Sequence, residues 1–193
     1  MILDLLRKRF SVRRFRDQPV PDDVLHEILD AGRLSPSGGN EQPWLFGVVT
    51  DPALIAQIAE AARGQMWIAK APLLIVLCVT IVTDERGGRD IQVHRYPEYA
   101  DIITQMDKGL YSALNQEEHQ TKIAGAHMAL AALERGVGSC WVSRFEVRRV
   151  AELLHLPEGT IPAEILVLGY PEEVRKPAGK KSLDEVVFDN TFE

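Results

Sequence analysis

Several stretches of the chain carry apolar residues at the three- and four-residue spacing of an amphipathic helix. Aspartate or proline precedes two of these stretches, at positions where helices commonly begin. Another stretch is rich in alanine and is followed by Gly136, a residue type that commonly ends helices. The spacing predicts helices over Ile2–Arg9, from Asp22 or Asp23 through Leu29, from Asp51 to about Arg63, from about Glu117 to Arg135, and over Glu146–Leu154.

Other, mostly shorter stretches are predicted to be strands. Leu73–Val82 is an almost continuous run of apolar and β-branched residues, which is typical of a strand buried on both faces. The remaining predicted strands are Leu45–Thr50, Ser139–Ser143 and Ala163–Gly169. Helices and strands intermingle without a regular βα repeat and without an interdomain linker. We therefore expect one α+β domain that spans residues 1–193.

The segment from Arg86 to Glu118 has two parts. Arg86–Pro97 is polar and is predicted to be an irregular connection. From Tyr99 onwards, apolar residues recur at helical spacing and predict one amphipathic helix. Its apolar face comprises Ile102, Ile103, Met106, Leu110, Ala113 and Leu114. We expect this face to pack on the core.

Composition narrows the classes of function. The net charge of −6 does not favour a polyanionic partner, so we expect no binding of nucleic acid. Cys78 and Cys140 lie far apart in apolar surroundings, unlike a disulfide framework or a zinc site. The longest apolar run, Ala71–Val82, is too short to span a membrane. We expect a cytoplasmic protein with reduced thiols, no metal and no membrane partner.

The first candidate binding cluster is formed by Arg9, Ser11 and Arg13, which recur at a period of two. An extended backbone places all three side chains on one side. Two guanidinium groups and a hydroxyl on one side match a phosphate monoester, because a guanidinium bonds phosphate oxygens in a bidentate manner. The alternative is a solvated basic turn after the first helix.

The second candidate is the loop Ser35–Pro43. Its adjacent glycines allow the backbone to approach a flat ligand. Asn40 and Gln42 offer donors and acceptors that suit the edge of a heteroaromatic ring. The loop lacks the patterns of the phosphate-binding glycine loops. The alternative is a helix-to-strand connection in which Asn40 stabilises a turn.

Two further stretches carry weaker signals. Gly136–Trp141 is a small-residue turn into a strand, which either places backbone groups against a ligand or only ends the preceding helix. Lys176–Ser182 is either a solvated run of charges or a complement to the N-terminal arginines at a phosphate. Cys140 has no basic neighbour close in sequence, so we expect a buried, inert thiol. His127 shares a helical face with apolar residues and is expected to be a packed core histidine.

Together these segments resemble the nitroreductase family of flavoproteins. RFSVRRFRDQPVP is similar to the family's Arg-x-Ser-x-Arg/Lys-x-Phe signature and the Pro-x-Pro step that follows it. LDAGRLSPSGGNEQPWLFGVV is similar to its Pro-Ser-x-x-Asn-x-Gln-Pro-Trp stretch, with Gly32 where alanine is commoner. APLLIVLC, ERGVGSCWVS, LGYP and KKSLDEVVF follow in the family's order, so the resemblance covers nearly the whole chain.

The resemblance implies a three-layer α+β fold with a central, mainly antiparallel or mixed sheet flanked by helices. It also implies an obligate homodimer with FMN at the interface and a C-terminal segment that extends onto the partner. The apolar residues Val186, Val187 and Phe188 near the end of the chain agree with this, because they need a surface that shields them from water.

The resemblance further implies which residues bind FMN. Arg9, Ser11 and Arg13 are implied to hold its phosphate and ribityl end. Either Lys180 or Lys181 is implied to reach the phosphate. Contacts along the flavin are implied for Pro36, Ser37, Asn40 and Gln42, and main-chain contacts near the ring for Ser139, Cys140 and Trp141.

The implied activity is hydride transfer from NADH or NADPH, through N5 of the flavin, to a nitroaromatic, a quinone or a similar small acceptor. This chemistry needs no nucleophilic side chain, and the sequence has no GxSxG or HExxH motif. The alternatives are a specialised member of the family, such as a reductive dehalogenase or a flavin-fragmenting enzyme, and a flavin-binding protein without turnover.

The segment from Arg86 to Glu118 departs from the family's pattern where the substrate pocket is usually shaped. At its N-terminal part, Tyr96 and Tyr99 offer rings that stack on a flat acceptor, and Arg95 offers a charge for an anionic group. Irregular connections often carry specificity. Arg95, Tyr96 and Tyr99 are therefore the candidates for acceptor binding, and the alternative is that the segment is scaffold.

Overall fold

An antiparallel sheet lies at the centre of the molecule. The structure, a computed structural model, describes residues 1–80, 88–114 and 116–191. Within these residues the sheet has the strand order β1-β2-β4-β3, and each neighbouring pair is antiparallel. The strands are β1 (Trp44–Val49), β2 (Leu73–Thr80), β3 (Gly138–Val142) and β4 (Thr160–Gly169). Strand β2 is buried from Leu73 to Val79, as its sequence predicts, although Ile81 and Val82 lie outside the described residues.

Helices cover both faces of the sheet. On one face, alternate β2 side chains such as Ile75 pack with α2 (Asp22–Arg33) and α7 (Gln116–Glu134). On the other face, the intervening β2 side chains such as Val76 pack with α3 (Pro52–Ala61) and α8 (Val147–Leu153). This arrangement of helices, sheet and helices confirms the three-layer α+β fold.

Local signals explain where the predicted helices begin and end. The carboxylate of Asp51 accepts hydrogen bonds from the backbone amides of Ala53 and Leu54 at 2.7 and 3.3 Å, which caps the start of α3. Gly136 has a φ of 75°, and its amide bonds the carbonyl of Leu133. The chain therefore leaves α7 sharply and enters β3.

The N-terminal segment is attached to the sheet. After α1 (Ile2–Lys8), the segment pairs with β3 through a parallel bridge between Ser11 and Ser139. The amide of Val12 donates to the carbonyl of Ser139 at 3.0 Å, and Val12 is buried in the core. Arg13, the next residue, is exposed, so the period of two in this segment is that of an extended backbone.

The segment before α7 differs from the sequence-based expectation. The polar stretch predicted to be irregular contains α4 (Gly88–Arg95). The single amphipathic helix predicted after Tyr99 is divided into α5 (Ala100–Gln105) and α6 (Lys108–Leu114). Both predictions were therefore wrong for the described part of this segment, and residues 81–87 and 115 lie outside the described residues.

Arg89 supplies the physical reason for the break between α5 and α6. Its guanidinium donates hydrogen bonds to the carbonyls of Ile103 and Met106 at 2.7 and 2.9 Å, which satisfies carbonyls at the end of α5. The carboxylate of Asp107 then accepts from the amide of Leu110 at 3.0 Å, as a residue preceding a helix commonly does. A side chain from α4 thus ends one helix and a local cap begins the next.

The apolar face predicted for this segment does not lie wholly in the core. Ile102 is 63% exposed and Leu110 is 50% exposed in the single chain. Leu114 is 60% exposed as well, so the expectation that the whole face packs on the core was wrong for Ile102, Leu110 and Leu114.

The C-terminal segment after Tyr170 lies on the outside of the single chain. Val186, Val187 and Phe188 are about 60% exposed. The placement of this segment on a second copy of the chain stays a prediction. None of the helices in the described residues is both long enough and apolar enough to cross a membrane.

The attachment of the N-terminal segment to β3 depends on the absence of a side chain at Gly138. A Cβ at this position would overlap a methyl group of Val12 and would lie 3.1 Å from its Cβ. We predict that Gly138→Ala lowers the free energy of unfolding by about 1–3 kcal/mol, the usual cost of overpacking a core, as measured by urea denaturation of the apoprotein.

Gly47→Ala is the matched control, because a Cβ at this position in β1 would meet its neighbours at ordinary van der Waals distances of 3.6 Å or more. An unfolding midpoint of Gly138→Ala equal to that of the wild type would contradict the close approach of Val12 to β3.

Candidate functional site

The structure brings Arg9, Ser11 and Arg13 together beside Cys140 on β3. Ser11, Arg13 and the charge of Arg9 each act on the thiol of Cys140 in the direction that lowers its pKa. Arg13 and Ser11 are exposed and Arg9 is partly exposed. Two guanidinium groups and a hydroxyl therefore border one surface, as the period of two predicts.

Both thiols of the chain are buried and free. Burial raises the pKa of Cys78 to about 12. Burial also raises the pKa of Cys140, and the charge of Arg13 and hydrogen bonds from Ser11 and Arg13 oppose this rise only in part. At neutral pH both thiols therefore stay protonated, which agrees with the expectation of an inert thiol at Cys140.

Trp67 belongs to this site and was missed from the sequence. Its ring lies under the guanidinium of Arg13, 5.8 Å from the ring centroid. Ser11, Arg13 and Trp67 line a cleft of about 280 Å³. Trp67 follows α3 in a turn that has no recognisable motif, so only the fold relates it to Arg13.

A larger cleft of about 730 Å³ adjoins the same arginine. Its basic side chains are Arg13, Arg14, Arg16 and Lys70, and Glu172 is also part of its lining. Arg14 lies 3.8 Å from the carboxylate of Glu173, which is itself bonded to Arg175. The proximity of Arg175 lowers the pKa of Glu173, so this carboxylate stays ionised and offsets part of the positive charge.

The second candidate, the loop between α2 and β1, has an unusual backbone. Gly39, Asn40 and Gln42 have positive φ values of 56°, 56° and 52°. The amide of Gln42 donates to the hydroxyl of Ser37 at 2.9 Å, and the amide of Asn40 donates to the carbonyl of Ser37 at 3.0 Å. Ser37 therefore shapes the loop, and the side chains of Asn40 and Gln42 lie at its exposed surface.

Helix α7 contacts this loop at two points. The side-chain oxygen of Gln120 accepts a hydrogen bond from the amide of Gly38 at 2.6 Å. Nδ1 of His127 lies 2.7 Å from the hydroxyl of Ser35. The prediction that His127 is a packed core histidine was wrong, because its side chain is exposed and bonds the start of the loop.

Ser139 and Trp141 lie on β3, next to the N-terminal segment. The carbonyl of Ser139 accepts the hydrogen bond from Val12, so this main-chain group is already engaged in the sheet. Trp141 is partly buried and lies against α7, where a Cβ on Gly125 would come 2.6 Å from its ring.

The two lysines of the tail, Lys180 and Lys181, do not line either cleft beside Arg13 of the same chain. Lys180 and Lys181 are exposed, and neither makes an ion pair with the described residues. The implied contact of one of these lysines with a phosphate stays a prediction.

The candidate acceptor residues lie together at the end of α4. The guanidinium of Arg95 is 5.5 Å from the ring centroid of Tyr96. Tyr96 and Tyr99 are 42% and 54% exposed. The three side chains therefore present a charge and two rings at the surface.

Pro36 is exposed at the start of the second candidate loop.

Comparison with known proteins adds an independent line of support. The model of the Nitroreductase family matches residues 6–170. The NADH dehydrogenase of Thermus thermophilus is 33% identical over 188 residues, which cover 93% of this chain and 91% of that protein. The FMN reductase (NAD(P)H) of Bacillus subtilis is 27% identical over 173 residues, which cover 89% of this chain and 66% of that protein.

A solved structure shares the fold. The crystal structure of a nitroreductase family protein from Clostridium difficile has a TM-score of 0.75 and 27% sequence identity. It is matched by all of this chain and over 99% of its own length. Because the family match and these similarities extend over most of the chain, the protein belongs to the nitroreductase family.

Proposed function

We propose that the protein is an FMN-dependent oxidoreductase that uses NADH or NADPH to reduce a small acceptor such as a nitroaromatic or a quinone. The observation that carries the proposal is the arrangement of Arg9, Ser11 and Arg13 along one exposed side of a segment fixed to β3. The FMN reductase of Bacillus subtilis, a relative over most of this chain, supports the choice of cofactor.

The donor groups of the chain fit FMN. Its phosphate carries oxygens that two guanidinium groups and a hydroxyl bind well, and Arg9, Ser11 and Arg13 supply these groups. The pyrimidine edge of its ring carries both carbonyl and N–H groups. The side-chain amide groups of Asn40 and Gln42 are able to donate to the carbonyl groups and to accept from the N–H group.

Bound FMN supplies the redox chemistry, because its ring accepts a hydride from a nicotinamide and passes it to a second substrate. The side chains of the protein then have to bind and orient the cofactor. The protonated thiol of Cys140 stays out of the reaction, and its burial instead keeps β3 packed beneath the arginines.

We propose further that the active form is a homodimer located in the cytoplasm. The exposed apolar tail residues Val186, Val187 and Phe188 are covered in such a dimer, and Lys180 or Lys181 reaches a phosphate at the interface. Two buried free thiols suit a reducing compartment.

The first prediction concerns cofactor binding. Arg13→Ala should weaken FMN binding by about 1.5–3 kcal/mol, because it removes hydrogen bonds to a charged group, as measured by fluorescence titration of the apoprotein. Arg148→Ala is the matched control, since Arg148 is a 95% exposed residue on α8. A wild-type protein that is colourless and takes up no added FMN would refute the proposed function.

A second prediction concerns the tail. Deleting residues 176–193 should reduce both the dimer fraction in light scattering and the affinity for FMN, because it removes apolar and basic groups together. Replacing Val186, Val187 and Phe188 by serine should affect mainly the dimer, and Lys180→Ala with Lys181→Ala mainly the affinity. A truncated protein that is still a flavin-loaded dimer would contradict this assignment.

A third prediction concerns the acceptor. Arg95→Ala, Tyr96→Ala and Tyr99→Ala should each change kcat/KM for menadione or a nitrofuran by an amount equivalent to about 0.5–1.5 kcal/mol, the range for aromatic contacts. The affinity for FMN should stay the same. Unchanged kinetics of all three variants with each acceptor and both nicotinamides would show that this segment is scaffold.

A further inference from the structure

The loop between α2 and β1 has a backbone that needs support from outside. Asn40 and Gln42 are not glycines, yet both have φ values in the left-handed region. Non-glycine residues are disfavoured there and persist where the surrounding structure fixes them. Hydrogen bonds within the loop, such as that from the amide of Gln42 to Ser37, hold its shape but do not fix its position on the protein.

Gln120 connects this loop to helix α7. Its side-chain oxygen accepts the hydrogen bond of the Gly38 amide at 2.6 Å, although the two residues lie 82 positions apart in the sequence. Gly38 immediately precedes the residues with positive φ. A bond at this point therefore fixes where the unusual backbone begins.

His127 makes a second contact on the same face of α7. It follows Gln120 by seven residues, which is two helical turns or roughly 10 Å along the axis. Its Nδ1 lies 2.7 Å from the hydroxyl of Ser35, at the end of α2. The opposite side of α7 packs on the sheet, where Gly125 and Ala129 are buried and Gly125 faces the side chains of Leu77 and Trp141. Both contacts therefore connect the loop, through α7, to the central sheet.

We propose that Gln120 is a positioning residue for FMN. It holds the loop Ser37–Gln42 so that the side-chain amide groups of Asn40 and Gln42 face the flavin. This inference rests on the proposed function, because it takes FMN as the ligand of the loop. Gln120 acts through the backbone of Gly38 and has no chemical part in the reaction.

The test compares three variants of Gln120 with one control variant. Gln120→Leu keeps the size of the side chain and removes the acceptor, whereas Gln120→Glu keeps an acceptor oxygen. Gln57→Leu makes the same change at an exposed position on α3 and is the matched control. Gln120→Ala removes the acceptor without adding an apolar group, in case the leucine variant does not fold.

Two quantities are measured for each variant. The first is hydrogen–deuterium exchange of the apoprotein over residues 36–44, which reports the loop without any cofactor. The second is the dissociation constant for FMN from fluorescence titration. Gln120→Leu and Gln120→Ala should exchange faster in this peptide and bind FMN about five- to tenfold more weakly, the usual effect of losing one hydrogen bond. Gln120→Glu should restore both properties, and Gln57→Leu should match the wild type.

Each other outcome counts against the inference in a different way. Unchanged exchange in Gln120→Leu and Gln120→Ala would show that the loop does not depend on this bond. Faster exchange with wild-type affinity for FMN would show that Gln120 holds a loop that does not position the cofactor. Failure of the wild-type protein to bind FMN would instead refute the proposed function, while the exchange data would still decide whether Gln120 holds the loop.

Discussion

Close packing of α7 against its neighbours sets the geometry on which the candidate site depends. A Cβ on Gly125 would meet the ring of Trp141 on β3, and one on Gly32 of α2 would overlap the end of Met128. These two glycines therefore let α7 approach both the sheet and α2. The helix carries Gln120 and His127, so its distance from the sheet also determines where the loop before β1 lies.

The same packing explains the departure from the family's sequence pattern at Gly32. Alanine is commoner at this position, but here the space of its methyl group is filled by the side chain of Met128. Methionine is long and flexible, so it fills an irregular gap that a smaller partner would leave empty. The glycine and the methionine thus form one complementary pair across α2 and α7, and the departure leaves the fold intact.

The sequence predicted the parts of the fold that depend on local periodicity. The continuous apolar run of β2 and the period of two through Arg9, Ser11 and Arg13 are properties of neighbouring residues, and the structure has both. The division of α5 from α6 could not be predicted in this way. It depends on Arg89, whose guanidinium bonds carbonyls 14 to 17 residues later in the chain.

Contacts between distant segments limited the prediction of the site in the same way. Helical spacing indicated which face His127 shares, but not that this face is exposed and bonds Ser35. Trp67 lies beneath Arg13 because the turn after α3 meets the N-terminal segment, and nothing in the sequence around either residue indicates this contact.

Because the net charge of the chain is negative, binding of an anion depends on a local cluster of basic residues. A net charge of −6 does not attract an anion, and Glu173 even offsets part of the charge of Arg14 and Arg175. Unlike Arg14 and Arg175, Arg13 makes no ion pair with the described residues, and its guanidinium lies over the ring of Trp67 and near the thiol of Cys140. An arginine without a carboxylate partner leaves its hydrogen-bond donors available to a ligand. If Arg13 binds the FMN phosphate as we propose, burial of Cys140 favours that binding, since a thiolate at this position would offset the charge of the arginine.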